Sequence, residues 1–260
     1  MRAQIPPVPT PAEAPAAPPA SLRSILHQVE QYLRNQQENG ASSVLVDPRE
    51  VQALSARPAV ARSSRPGAHA ASDLAQIARA VAGCCRCSLH KARTQAVPGQ
   101  GTPHPDILFV GEGPGAEEDE QGLAFVGPAG QLLTKMIEAM GYRREEVFIA
   151  NVVKCRPPAN RTPLPEEIEQ CLPYLTEQIA ILKPKVIVAL GATAVKGLLN
   201  PTVGIMKLRG NWMSFEGIPV MPTYHPAYLL RYPSAKKEVW LDLQEVLKRL
   251  GREPPPRAKA

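Results

Sequence analysis

The chain has 260 residues, 44% of them hydrophobic, which is enough for one sizeable domain with extensions. No apolar run is long enough for a membrane helix, and the N-terminus lacks the apolar segment of a signal peptide, so we expect a soluble cytoplasmic protein with no membrane partner. The formal charge of +6 lies almost entirely in residues 74–260 and suits an anionic partner such as nucleic acid, although an ordinary basic surface explains it equally well.

The N-terminal region 1–70 is predicted to lie outside the folded domain. Residues 1–20 contain seven prolines and six alanines, a composition typical of disordered chain. One amphipathic helix is predicted at about 22–39, where apolar residues recur at helical spacing. This helix either docks on the domain or contacts another protein.

Residues 71–250 alternate between short apolar runs and helical patterns, whereas 251–260 form a basic tail that we expect to be disordered. Strands that alternate with helices form a mainly parallel sheet covered on both faces. The predicted fold is therefore α/β with three layers: a central, mainly parallel four-stranded sheet with helices on both faces. The predicted strands are 107–110, 147–153, 186–190 and 218–222, and the predicted helices are 130–140, 166–182, 192–199 and 236–250.

Small or polar residues lie near or just after the end of each of the four predicted strands. In open parallel sheets, ligands bind in the crevice outside the carboxyl ends of the strands. We therefore expect these residues to converge on one pocket: Glu112 with Gly113, Asn151, Gly191 with Ala192, and His225.

The five cysteines predict a metal site, because an odd number of thiols in a reducing compartment argues against a disulfide framework. Cys84 and Cys87 form a C-x2-C pair, Cys155 follows the second strand, and Cys171 lies on the next helix. Four thiolates from three elements suit a [4Fe-4S] cluster better than the paired knuckles of a zinc site. Zinc is the second interpretation, unligated cysteines are the third, and Cys85 is left over.

The glycine-rich stretch GEGPGA at 111–116 is only a weak match to a dinucleotide-binding turn. Pro114 lacks the amide donor that a pyrophosphate would use. Asn151 stands near the end of the second strand, where such a fold would place an acidic residue for the ribose. A dinucleotide-dependent oxidoreductase is therefore disfavoured.

The segment TYHPAYLLR combines a fixed backbone around His225 with an apolar tip beside a basic residue. Such a tip is typical of a wedge that unstacks DNA bases. The alternative is that the leucines begin a buried helix. The candidate DNA-binding residues are Tyr228, Leu229, Leu230 and Arg231.

Several motifs together resemble the iron–sulfur uracil-DNA glycosylases of family 4: GEGPGAEEDEQGLAFVGPAGQLL, NVVKCRPPANRTP, LRGNW, TYHPAYLLR and the C-x2-C pair. The resemblance covers about residues 80–250. It implies a monomeric, monofunctional enzyme of base excision repair that acts on the nucleoid. Such an enzyme flips uracil out of single- or double-stranded DNA and hydrolyses its N-glycosidic bond, leaving an abasic site. The rival hypothesis is a non-catalytic iron–sulfur module that binds DNA.

The resemblance also implies roles for individual residues. The uracil pocket would be formed by Glu112, Gly113, Phe125, Asn151 and His225. Phe125 would stack on the flipped ring, and the Asn151 amide would read the edge of uracil. The catalytic candidates are His225, which would face uracil O2, and Glu112, which would touch the attacking water.

Two further carboxylates, Glu118 and Asp119, stay as alternatives for activating the water. The implied ligands of the [4Fe-4S] cluster are Cys84, Cys87, Cys155 and Cys171.

Overall fold

The computed structural model describes residues 68–199 and 203–256. The helix predicted at 22–39 lies outside the described residues. Within the described part of the chain, every helix is too short or too polar to span a lipid bilayer.

A six-stranded sheet with strand order β1-β3-β2-β4-β6-β5 forms the centre of the fold. The four predicted strands are its parallel core, which confirms the α/β class. Two antiparallel edge strands were not predicted, because two or three residues are too few to show periodicity. The strands are β1 Gln100–Gly101, β2 Ile107–Gly111, β3 Phe148–Asn151, β4 Val186–Leu190, β5 Met213–Phe215 and β6 Ile218–Thr223.

Helices cover both faces of the sheet, as the sequence predicted. The four predicted helices are present and begin or end within two residues of the expected positions. The helices are α1 Ala68–Ala82, α2 Ala116–Gln121, α3 Pro128–Ala139, α4 Pro165–Leu182, α5 Ala192–Leu199, α6 Ile205–Leu208, α7 Pro226–Arg231 and α8 Lys236–Arg249.

The side chains of β2 alternate between two separate cores. Leu108 and Val110 pack in one apolar cluster with residues of α1, α4 and α5. Ile107 and Phe109 pack in the other with residues of α3 and α8. All four side chains are fully buried, so apolar layers lie on both faces of the sheet and the three-layer prediction is confirmed.

The register of the parallel strands brings their carboxyl ends to one edge. Gly111, the last residue of β2, pairs with Asn151, the last residue of β3. Leu190 at the end of β4 pairs with Thr223 at the end of β6. The residues that follow these strands therefore leave the sheet side by side, which positions the candidate site.

Residues 251–256, the first part of the tail 251–260, contact the domain through Arg252. The Arg252 backbone N–H donates to the Leu247 carbonyl oxygen at 2.9 Å. Its guanidinium carbon lies 4.2 Å from the centroid of the Tyr142 ring. Residues 257–260 lie outside the described residues.

Candidate active site

One cleft at the carboxyl edge of the sheet is lined by all five residues proposed for a uracil pocket. Glu112 and Gly113 follow β2, Asn151 ends β3, and His225 follows β6 by two residues. Phe125 comes from the loop between α2 and α3. Three strand exits thus contribute to the cleft wall directly.

The residues that follow β4, at the fourth strand exit, contact residues of the cleft wall. Gly191, after β4, has φ +88°, and a Cβ there would lie 3.0 Å from the Cβ of His225. The Thr193 hydroxyl, on α5, donates a hydrogen bond to the Glu112 carboxylate. The exit of β4 therefore positions His225 and Glu112 instead of contacting a ligand itself.

Asn151 places an unpartnered polar atom in the cleft wall. The side chain is 1% exposed, and its amide oxygen Oδ1 has no hydrogen-bond partner. A buried carbonyl-type oxygen without a donor costs about 1–3 kcal/mol, so such an atom requires an explanation. A ligand N–H in the cleft would satisfy it.

Glycine at position 111 is needed because two cleft residues crowd it. A Cβ at Gly111 would lie 2.4 Å from the Phe125 ring and 2.5 Å from the Asn151 amide oxygen. Any other residue would displace one of these groups. The first glycine of the GEGPG stretch thus makes room for Phe125 and Asn151.

Phe125 is held in a strained backbone conformation. Its φ of +54° lies in the left-handed region, which costs a non-glycine residue about 1–3 kcal/mol. Gly130 of α3 approaches so closely that a Cβ there would lie 2.0 Å from the Phe125 carbonyl. The buried ring lies 5.5 Å from the His225 ring, centroid to centroid. Strain of this kind is typical of functional sites, and no sequence pattern predicts it here.

His225 is arranged as a neutral hydrogen-bond donor. It is the N-cap of α7, and its Nδ1 accepts a hydrogen bond from the Ala227 backbone N–H at 3.1 Å. In the neutral ring the proton therefore resides on Nε2. Burial, helped by the positive charge of Arg231 and opposed by Glu118, lowers the pKa of His225 to about 4. The ring is uncharged at neutral pH and has one N–H available.

Glu118 has a structural role that the sequence did not reveal. Its carboxylate accepts three backbone hydrogen bonds at 2.8–3.0 Å, and these close the loop that carries Phe125. With its oxygens engaged in this way, Glu118 is poorly placed to activate water. The donors are the N–H groups of Gly115, Val126 and Gly127.

Asp119, the other alternative base, points away from the cleft. It is 3% exposed and accepts from the Thr94 backbone N–H at 2.9 and 3.1 Å. The expectation that Asp119 could activate the attacking water is therefore wrong. Glu112 and the exposed Glu117 are the other carboxylates that line the cleft.

The TYHPAYLLR segment forms α7, and only part of its tip is exposed. Leu229 is 1% exposed and packs in the core with α3 and α8, so the expectation that it contacts DNA is corrected. Leu230 is 47% exposed, and Arg231 is also exposed. Tyr228 is half-buried. The alternative prediction, that the leucines begin a buried helix, is right for Leu229 and wrong for Leu230.

The loop after β3 contributes cleft residues that the sequence analysis did not single out. Asn160 and Arg161 line the cleft. The Arg161 guanidinium forms two hydrogen bonds, at 2.7 and 2.8 Å, with the buried Glu167 carboxylate. Glu167 also accepts from the Ser88 hydroxyl at 3.0 Å. This pairing joins the cleft wall to the cysteine region and was not visible as a local pattern.

The four cysteines proposed as ligands line one small cavity near the exit of β3. Cys84 and Cys87 follow α1, Cys155 follows β3, and Cys171 lies on α4. The fifth thiol, Cys85, is exposed, and its Sγ lies 3.7 Å from the Gly83 carbonyl oxygen. The fold therefore places the four proposed ligands around one cavity and leaves Cys85 exposed.

The four thiols of this cavity are side chains of the type that ligates metal cations. Burial raises the pKa of the Cys171 thiol to about 11 and also raises the pKa of Cys155. Such thiols stay protonated unless a cation stabilises the thiolate. Two N–H groups already point at the sulfurs: Arg93 Nη1 at 3.0 Å from Cys155 and the Lys154 backbone at 3.2 Å from Cys171.

Comparison with known proteins relates this chain to one enzyme family. The family model of the uracil DNA glycosylase superfamily matches residues 98–244. Over 179 residues the chain is 48% identical to a type-4 uracil-DNA glycosylase of Pyrobaculum aerophilum, covering 66% of this chain and 91% of that relative.

Two further relatives carry the same name. The type-4 uracil-DNA glycosylase of Thermotoga maritima is 54% identical over 152 residues, which is 57% of this chain and 78% of the relative. That of Archaeoglobus fulgidus is 41% identical over 191 residues, which is 70% of this chain and 96% of the relative. The family model spans more than half of the chain and the relatives match over most of their length, so the chain belongs to the type-4 uracil-DNA glycosylases.

Proposed function

We propose that the cleft is a uracil pocket, in which the enzyme holds a flipped deoxyuridine and hydrolyses its N-glycosidic bond. The observation that carries this proposal is the buried, unpartnered amide oxygen of Asn151 beside the Phe125 ring. Uracil offers a ring N–H between two carbonyl oxygens, so the amide can accept from the N–H and donate to a carbonyl. Cytosine reverses donor and acceptor at this edge and would leave buried groups unpaired.

His225 stabilises the leaving group in this mechanism. When the bond between the sugar C1′ and uracil N1 breaks, its electron pair goes to the base and negative charge builds on O2. The neutral Nε2–H of His225 donates to that oxygen, and because the ring is uncharged it needs no counter-ion. Water then adds to C1′ and loses a proton, which balances the charge on the departing base.

Glu112 is proposed to orient the attacking water. Its carboxylate lines the cleft and is fixed by the Thr193 hydroxyl. The other acids of the loop are less suitable, since Glu118 is bound to backbone amides and Asp119 lies away from the cleft. Gly113 contributes backbone to the same wall.

The direct test is excision from a uracil-containing oligonucleotide, followed by alkaline cleavage at abasic sites. We expect strand scission at the uracil position and none on the matched thymine oligonucleotide. Binding without scission, with a known glycosylase active in parallel, would instead support a non-catalytic DNA-binding module.

We propose that Cys84, Cys87, Cys155 and Cys171 hold a [4Fe-4S] cluster. When bound, the cluster would cross-link the end of α1, the exit of β3 and α4. Supporting this, the cavity offers four thiols. Among the described residues, no three cysteine, histidine or acidic side chains stand at the spacing of a single ion. The preference for a cluster over zinc rests on the sequence pattern, because four thiolates from three separate elements suit a [4Fe-4S] cluster better than the paired knuckles of a zinc site.

Replacing Cys171 by serine is expected to remove iron and brown colour and to lower the thermal midpoint, because the buried ligand is lost. The matched control is Cys85→Ser, which removes an exposed thiol and is expected to keep full iron content. Iron and sulfide analysis with visible absorption spectra provides the measurement. A colourless wild-type protein with stoichiometric zinc would overturn the cluster assignment.

The pH dependence of excision should reflect a neutral His225. Its pKa of about 4 lies below the ordinary 6.5, so the unfolded chain takes up the proton first as pH falls. Stability linked to His225 is therefore lost between pH 6.5 and about 4, while the folded enzyme keeps its neutral donor. We expect the single-turnover rate to show no inflection near 6.5. A rate that falls as pH rises through 6.5 would mean that His225 acts as a cation, and a rate that falls as pH drops through 6.5 would mean that its pKa is not lowered.

We further propose that the enzyme acts as a monomer on the DNA of the nucleoid. One chain supplies all five pocket residues, so the site is complete without a partner subunit. The exposed Leu230 and Arg231 lie on α7, the helix that His225 caps, and are proposed to contact single- or double-stranded DNA. A contact between another protein and the helix predicted at 22–39 stays a prediction from the sequence.

A further inference from the structure

Three tyrosine rings stack in a ladder that starts beside His225 and runs out to solvent. The ring centroids of Tyr224 and Tyr228 are 4.8 Å apart, and those of Tyr228 and Tyr232 are 4.7 Å apart. Neighbouring rings are tilted by 36° and 37°. Tyr224 directly precedes His225, Tyr228 lies on α7, and Tyr232 follows the last residue of α7, so the ladder runs along the helix that the cleft residue His225 begins.

The inner rings are fixed and the outer ring is exposed. Tyr224 and Tyr228 pack against the core that also contains Leu229. The Arg209 guanidinium carbon lies 5.6 Å from the Tyr224 ring centroid and covers the inner end. Tyr232, at the outer end, is 54% exposed. The ladder therefore presents one aromatic ring, already oriented by its neighbours, to the solvent.

The exposed charged residues that neighbour Tyr232 along the chain are mostly basic. Arg231, Lys236 and Lys237 are exposed within five residues of Tyr232 along the chain. The nearby acid Glu238 is paired with Arg209 at 3.5 Å. An oriented aromatic ring among cations is complementary to a nucleic-acid strand, whose bases have flat faces and whose backbone is anionic.

Unpaired bases fit this surface better than a closed duplex does. In a duplex both faces of each base are covered by its neighbours, so stacking on a protein ring first requires unstacking. In a single strand the faces are accessible, and stacking on an aromatic ring tolerates any base.

We propose that Tyr232, supported by Tyr228 and Tyr224, is a stacking platform for an unpaired base close to the flipped uracil. The enzyme would accordingly favour uracil in single-stranded or locally unpaired DNA. The inference rests on the proposed function, because it assigns the platform and the uracil pocket to the same strand.

The test compares Tyr232→Ala with Tyr232→Phe in the full-length protein. Dissociation constants are measured for a uracil-free single-stranded oligonucleotide and for the same sequence as a duplex. We expect Tyr232→Ala to weaken single-strand binding about 5- to 150-fold and duplex binding by a clearly smaller factor. Tyr232→Phe retains the ring and is expected to stay within about twofold of the wild type.

A matched surface control is Leu241→Ala on α8, since Leu241 is 53% exposed, close to the exposure of Tyr232. This variant should leave both dissociation constants unchanged. A 2-aminopurine placed beside the uracil should be quenched by wild type and Tyr232→Phe but not by Tyr232→Ala. Equal weakening on single strands and duplexes, or no weakening by Tyr232→Ala, would overturn the platform.

The same samples separate this inference from the proposed function. If uracil is excised but the single-strand preference does not depend on the Tyr232 ring, the platform is wrong and the uracil pocket stands. If no uracil is excised but single-strand binding still depends on the ring, the platform is supported and the proposed catalytic role is wrong.

Discussion

Replacing His225 by serine is expected to slow uracil excision about 10²- to 10³-fold, because the variant loses the donor that faces the charge developing on the base. Binding of DNA should change little, since this interaction strengthens as the glycosidic bond breaks. The structural basis is the fixed tautomer: Nδ1 is occupied by the Ala227 N–H, so Nε2 carries the available proton.

The measurement is the single-turnover rate with excess enzyme, together with the dissociation constant for a uracil-containing strand. His104→Ser is the matched control, because His104 is exposed and lies away from the cleft. Thermal midpoints check folding, since serine at an N-cap can still accept a backbone hydrogen bond. An unchanged rate in a folded His225→Ser protein would remove this residue from the mechanism.

The central fold was predictable from the sequence because its strands are fully buried. All five residues of β2 and of β4 are buried, and such strands read as continuous apolar runs that need no tertiary information. The edge strands β1 and β5 were missed for the opposite reason. Both are short and partly exposed. They are strands because β1 pairs with β3 and β5 pairs with β6, and a local sequence pattern contains no information about such pairing.

The candidate site was predictable where backbone topology alone decides it. Strand ends of a parallel sheet meet at one edge, so the convergence of Glu112, Asn151 and His225 follows from the strand assignments. The roles of the acids were not predictable. Glu118 and Asp119 are adjacent in sequence, yet one binds amides of its own loop and the other binds the Thr94 amide, 25 residues away.

The burial of two neighbouring leucines was also not predictable from the sequence. Leu229 and Leu230 are chemically alike, and each was expected to touch DNA. Helix α7 turns one into the core and the other to solvent, and this depends on how α7 packs against α3. A six-residue helix contains too few residues for its pattern to reveal the buried side.

Replacing Asn151 by alanine is expected to lower kcat/KM for uracil about 10²-fold or more. Two hydrogen bonds to the base are lost, each of about 1–3 kcal/mol when buried. The free energy of unfolding should not fall by more than about 1 kcal/mol, because the lost oxygen has no partner in the folded protein and its removal relieves the cost of burying it. Activity and stability are therefore expected to separate, as they do for groups held ready for a ligand.

The variant Asn151→Asp sharpens this test, because it keeps the size of the side chain and replaces the N–H donor with an acceptor. Cytosine carries an amino group where uracil has a carbonyl, so the ratio of cytosine to uracil excision should rise at least about tenfold. Excision rates on matched uracil and cytosine oligonucleotides, with unfolding measured in denaturant, decide the question. If Asn151→Ala excised uracil normally but unfolded easily, the amide would serve the fold and not the base. The unpartnered oxygen makes the opposite result the expected one, because an atom that stabilised the fold would already have its hydrogen bond.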